Sequence, residues 1–187
     1  MRNPVVSVLS KTSRRGGLLV LLALLLLLMY GFHGLFPFSV EKIGAVSGGM
    51  GIPDARMYYT YAQLYEMFRH YGPEGRRMYL QLQWVDWIYP LVYSLLLASL
   101  LFVVYKKTRL RYTVYVPFMA ALFDYVENIL LRFSILSFPH MHKGIVQVAG
   151  TVTFTKWFLI FVTFFLLVFG AFWKLGLWFR SRKRTTD

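Results

Sequence analysis

The chain contains no cysteine, which excludes disulfides, thiolate metal sites and a thiol nucleophile together. It is also poor in acid: 8 Asp and Glu stand against 21 Lys and Arg among 187 residues, a formal net charge of +13. Charged residues of both signs amount to only 16%, whereas hydrophobic residues reach 57% and aromatics 19%. That balance excludes an ordinary soluble core and points to a membrane protein of one domain. No Gly-x-Ser-x-Gly or His-Glu-x-x-His signature occurs, so an enzymatic reading has no positive signal. Glycines 44, 48, 49 and 51 are followed by no Gly-Lys-Ser/Thr, which removes a phosphate-cradling loop, and no cofactor is implied.

What the chain has in abundance is apolar runs flanked by short basic clusters. Four runs are long enough to span a bilayer, which needs about 20 residues each. The spans are expected at 17–36, 84–105, 113–134 and 150–174. The first follows a basic flank, as a cleaved signal or a twin-arginine leader would, but no small-residue cleavage site follows closely. It is therefore read as an uncleaved helix. Residues 1–15 then form a basic tail, 16–178 the membrane domain, and 179–187 a second basic tail. The basic residues divide unevenly: Arg2, Lys11, Arg14 and Arg15; Lys106, Lys107, Arg109 and Arg111; Lys174, Arg180, Arg182, Lys183 and Arg184. Both termini in the cytoplasm put all three clusters on one side, as the positive-inside rule demands. The same placement assigns the positive charge to orientation and lipid headgroups rather than to nucleic acid.

The expected fold is an all-α, four-helix membrane bundle with a short extracytoplasmic amphipathic helix. Residues 37–78 form the longest connection, and its glycine-rich first part reads as a flexible loop. Thr60-Tyr-Ala-Gln63 is a capping box that opens the amphipathic helix, and Gly72-Pro73 ends it. Pro73-Glu74 starts a long helix leading into the second span, where Pro90 should bend the helix and free a carbonyl. Tyrosines 58, 59, 61, 65 and 71 are expected to pack at the interface.

The most informative stretch is Pro117–Arg132. At 100° per residue Pro117, Ala120, Ala121, Asp124, Glu127, Asn128 and Arg132 share one face, and Phe118, Leu122, Val126, Ile129, Leu130 and Phe133 the other. The second span carries its own polar face, with Tyr79, Gln83, Asp86, Pro90, Tyr93 and Ser94. The fourth places Lys156, Thr163 and Gly170 seven apart on one side. A carboxylate at the centre of a spanning helix costs roughly 2.5–3.5 kcal/mol on insertion scales, so such residues are paired or functional. Counting about 20 residues back from each basic boundary puts Asp86, Arg132 and Lys156 at one depth, with Asp124, Glu127 and Asn128 just inside it.

Two readings of this layer compete. In one, Asp86, Asp124 and Glu127 pair with Arg132 and Lys156 only to lock the helices together. In the other, the layer lines a polar pocket. The carboxylates contact a cationic or amphipathic ligand, Arg132 and Lys156 tune them, and Asn128 and Tyr93 orient it. A proton- or ion-coupled transporter subunit, working as an oligomer, is the first alternative. A scaffold binding a partner helix is the second. His140 and His142, near His33 in level, are weak metal candidates only.

The plan resembles the EXPERA group, which includes the emopamil-binding sterol isomerase and the sigma-2 receptor. The shared features are a helical segment after the first span and Trp84-Val-Asp86-Trp-Ile-Tyr-Pro90 entering the second, an acid shortly before a proline. The resemblance is architectural, spans most of the chain, and implies a membrane pocket for a sterol-like or lipid amphiphile. A His/Glu pair of the isomerase kind is not identifiable within these spans, so binding without catalysis is what the resemblance implies here.

Overall fold

The structure is a computed structural model describing residues 4–183, with side chains described through Leu177. All of its regular elements among these residues are helical. They run in chain order α1 (Pro4–Thr12), α2 (Arg15–Tyr30), α3 (Val40–Ser47), α4 (Tyr61–Asp86), α5 (Tyr89–Tyr105), α6 (Val116–Leu136) and α7 (Lys143–Lys183). A π-helical turn at Gly31–Leu35 extends α2, and short 3-10 turns occupy Pro53–Ala55 and Arg109–Tyr115. Four helical stretches are long and apolar enough to cross a membrane: Arg15–Ser47, Tyr61–Tyr105, Arg109–Leu136 and Lys143–Leu177. The protein is thus an integral, multi-pass helical bundle.

The faces fall where the side-chain period puts them. In α6, Ala120, Asp124, Glu127, Asn128 and Leu131 are buried, while Leu122, Val126, Ile129 and Phe133 are exposed. In α7, Lys156, Thr163 and Gly170 all turn inward. Phe154, Phe158, Phe161, Phe165 and Phe169 cover the outside, as a lipid-facing surface would.

Thr60 caps α4 in the expected capping box: its hydroxyl accepts from the Gln63 N–H, and Gln63 Oε1 accepts from the Thr60 N–H at 2.8 Å. The amphipathic helix ends at Gly72, whose φ of 59° and ψ of −173° break the helix before Pro73 restarts it. That backbone angle favours glycine. The second span stays helical in its backbone across the join between α4 and α5, with Trp87 and Ile88 both right-handed. Regular hydrogen bonding lapses between Asp86 and Tyr89, and Pro90, in the first turn of α5, supplies no N–H to the Asp86 carbonyl.

Other boundaries move. The flexible loop expected after residue 37 contains α3, which Ser39 caps by accepting from the Lys42 N–H and Gly48 ends in a left-handed conformation. The basic N-terminal tail is largely helical: α1 buries Leu9 against Ala98, Leu101 and Tyr105, and Thr12 Oγ1 lies 2.7 Å from Ser99 Oγ. A 3-10 turn takes up Arg109–Tyr115 ahead of α6, within the membrane-length stretch Arg109–Leu136. The fourth helix runs through Lys183, so part of the 179–187 tail is helical; residues 184–187 lie outside the described residues, as do residues 1–3.

Two of the buried clusters mark the ends of the bundle, and a small third one, Tyr93, Leu97 and Ala121, lies between them. One end cluster gathers Tyr59, Leu64, Phe68, Tyr71, Tyr79 and Leu131 at the end that holds the loop after α3. The other gathers Leu9, Ala98, Leu101, Tyr105 and Val114 at the end that holds α1 and the 106–111 turn. The charged layer lies on the helices between them.

Candidate functional site

Lys156 is the hub. It reaches from α7 to two carboxylates on α6: Glu127 Oε2 at 2.5 Å and Asp124 Oδ1 at 3.1 Å. All three side chains are buried. The contact to Glu127 is the shorter of the two ion pairs. Each remaining carboxylate oxygen is taken by a hydroxyl. Tyr93, from α5, donates to Asp124 Oδ2 at 3.0 Å, and Thr153 Oγ1 lies 2.6 Å from Glu127 Oε1. Thr153 stands one turn before Lys156, so both point the same way from α7.

The site extends further than the spans. Tyr59, in the loop before α4, is 1% exposed, and its hydroxyl lies 3.2 Å from Thr153 Oγ1. Burial pushes its phenol up from the usual tyrosine range, and the nearby negative charge of Glu127 pushes it the same way. The loop can lie this close because residue 150 is glycine: a Cβ there would collide with the Tyr59 carbonyl oxygen. Asp54, in the same loop, accepts from the Tyr79 hydroxyl at 2.7 Å. Its other oxygen is buried without a hydrogen-bond partner. Tyr59, then, is not simply interfacial packing, as its tyrosine-rich surroundings suggest, but part of the layer's roof.

At the join between α4 and α5 the helices interlock by amides. Pro90 leaves the Asp86 carbonyl without its helical donor, and Asn128 Nδ2 supplies one at 3.5 Å. The Tyr125 hydroxyl donates to the next carbonyl, Trp87, at 3.1 Å. Gln83 Nε2 donates in return to the Asn128 carbonyl at 3.3 Å. Both amide orientations are fixed by these bonds, because only the nitrogen can donate to a carbonyl. The amide oxygens, Gln83 Oε1 and Asn128 Oδ1, are left buried and without a partner among the described residues. Asp86 joins them, buried beside the Asn128 amide. No Lys, Arg or His lies within 4 Å of its carboxylate among the described residues.

Arg132 corrects the expected pairing. It shares the face of Asp124 but makes no ion pair with an acid among the described residues. Its guanidinium instead covers the Trp84 ring, 5.1 Å from the centroid. Trp84 is itself 65% exposed, so Arg132 caps the layer's edge and leaves Lys156 to neutralise it. His140 and His142 are exposed, and no group of three or more metal-ligating side chains gathers among the described residues. Compared with known families, curated proteins and solved structures, the chain finds no match.

The resulting chemistry is lopsided. Asp54, Asp86, Asp124 and Glu127 stand near one paired lysine, and one carboxylate oxygen (Asp54 Oδ1) and two amide oxygens (Gln83 Oε1 and Asn128 Oδ1) are left without a hydrogen-bond partner among the described residues. Two buried donors, Arg132 Nη1 and Trp157 Nε1, also lack a hydrogen-bond partner among the described residues, so the imbalance is one of carboxylates over the single lysine that pairs with them.

Proposed function

We propose that the protein binds the cationic head of a hydrophobic or amphipathic ligand within the membrane, without catalysis, and that Asp86 is its anchor. The observation that carries this reading is the acceptor cluster at the α4–α5 join: the Asp86 carboxylate without a cation, beside the unpartnered oxygens of Gln83 and Asn128. A protonated amine brings several N–H donors and the missing charge. Exposed Trp84, Trp87, Ile88 and Leu91 flank the join, which gives an apolar tail a lipid-side path. In this reading Lys156 holds Asp124 and Glu127 in place rather than leaving them for the ligand, and Tyr93 positions Asp124. The basic end of the bundle lies in the cytoplasm, so the site sits toward the opposite leaflet. Kinship with the EXPERA group would fit an amphiphile of this kind.

Proton or ion exchange is a second reading, favoured by the line of groups Tyr59, Thr153, Glu127, Lys156, Asp124 and Tyr93, each in contact with the next. The readings separate in one titration. Purified protein in neutral detergent is titrated with a long-chain primary amine and with the alcohol of the same chain length. The binding reading expects saturable association of the amine, at least tenfold tighter than the alcohol, and its loss in Asp86→Asn. Equal binding of amine and alcohol would overturn it.

A further inference from the structure

The other end of the bundle carries a second site. There α5 and α7 touch and then part. They touch at Gly170, where a Cβ would collide with the Val104 side chain and crowd the Tyr105 hydroxyl. That hydroxyl donates to the Leu166 carbonyl at 2.7 Å, which clamps the two helices together. Just past this clamp they leave a cleft of about 330 Å³ between the end of α5 and the facing turn of α7. Val103, Val104 and Leu177 give it apolar walls, and Lys106, Lys107 and Lys174 line it beside them.

These lysines have no acid to serve. The sequence holds no Asp or Glu between Asp86 and Asp124, or between Glu127 and Asp187. None of the three makes an ion pair with an acid among the described residues. Lys174 is nonetheless positioned: its ammonium donates to the Val103 carbonyl at 2.7 Å, one of the last four of α5, which lack an intrahelical donor. Two of its N–H groups remain for a ligand. Lys106 lies over the Phe102 ring at 5.7 Å. Trp173, 40% exposed and stacked on Tyr105, stands at the same level, as interfacial tryptophans do.

A cleft lined by three lysines, with apolar walls and lipid-facing helices on either side, matches one chemistry, a phosphate anion attached to acyl chains. We infer that it binds the phosphate headgroup of an anionic glycerophospholipid from the leaflet at the basic end of the bundle. Lysines act there as point charges on the phosphate, and the exposed flanks of α5 and α7 take the chains. Free inorganic phosphate would share the charges but leave the apolar walls unused.

The test uses the full chain in neutral detergent, followed by native mass spectrometry. It is titrated with phosphatidylglycerol or phosphatidylcholine of identical acyl chains, alone and with 10 mM-scale inorganic phosphate as competitor. The expected result is one saturable phosphatidylglycerol site, at least tenfold preferred over phosphatidylcholine and undisturbed by inorganic phosphate. K106Q/K107Q/K174Q should lose the preference, with K107Q alone losing part of it, while R109Q/R111Q, equal in charge type but outside the cleft, should keep it. Thermal melts check that the variants fold; the substituted lysines are exposed. A preference unchanged in K106Q/K107Q/K174Q and K107Q, or lost equally in R109Q/R111Q, overturns the site. Displacement by inorganic phosphate overturns the lipid as its occupant.

Discussion

Replacing Lys156 by methionine is the perturbation with the largest calculable effect. Lys156 neutralises Glu127 at 2.5 Å and Asp124 at 3.1 Å, and both acids are buried. Methionine keeps most of the volume but strands two carboxylates in apolar surroundings. Removing one partner from a buried ion pair costs about 3–5 kcal/mol, mostly as the penalty of the charge left behind. At 2–4 °C per kcal/mol for a chain of this size, the melting temperature should fall by roughly 6–20 °C. Asp124→Asn should cost far less, about 1–2 kcal/mol. Lys156 keeps Glu127, and the asparagine oxygen can still accept from Tyr93. The triple variant K156M/D124N/E127Q carries no charge to strand and should regain most of the loss. Thermal melts and SDS unfolding in mixed micelles read all three. A Lys156→Met variant no less stable than Asp124→Asn, or a triple variant no better than Lys156→Met, would refute the pairing.

Three further outcomes follow from neighbouring contacts. Gly150→Ala pushes a Cβ into the Tyr59 carbonyl oxygen, so it should cost about 1–3 kcal/mol and raise amide hydrogen exchange over residues 52–60. Arg132→Gln removes the cover on Trp84 and no ion pair, so it should cost roughly 0.5–2 kcal/mol. Its coupling to Asp124→Asn in a double-mutant cycle should stay within about 0.5 kcal/mol. Tyr59 has a folded pKa raised above the ordinary tyrosine value near 10. Its contribution to stability is therefore fully present below about pH 10 and is lost as pH rises beyond it, and Tyr59→Phe should flatten that alkaline decline.

The spans, the polar faces and the common depth of the charges were legible because each depends on local spacing alone. The 3.6-residue period sorts α6 into Asp124, Glu127 and Asn128 inside and Leu122, Ile129 and Phe133 outside, whatever it packs against. Pro90 announces a freed carbonyl for the same reason, and Asn128 supplies the donor. What depends on contacts between distant residues was not legible. Tyr59 and Asp54 enter the layer because a loop folds back over Gly150, and no period encodes that. Thr153 could have been found, since it lies one turn before Lys156 on the same face. Arg132 sits on the acids' face, yet its long side chain reaches Trp84 instead, a choice that depends on which neighbour its end meets. The helix α3 was hidden by Gly44 within it and by the glycines at 48, 49 and 51, which read as a loop. In α1, the basic flank of the first span, Lys11 included, masked the buried Leu9.

In the proposed reading the acceptor cluster around Asp86 holds a positively charged ligand. Native mass spectrometry of the wild type and Asp86→Asn, purified side by side in mild detergent, tests it most directly. The expected result is a lipid-sized, amine-bearing adduct on the wild type and none on an Asp86→Asn variant that melts at a similar temperature. A wild type free of any adduct, or an adduct retained by Asp86→Asn, would contradict it.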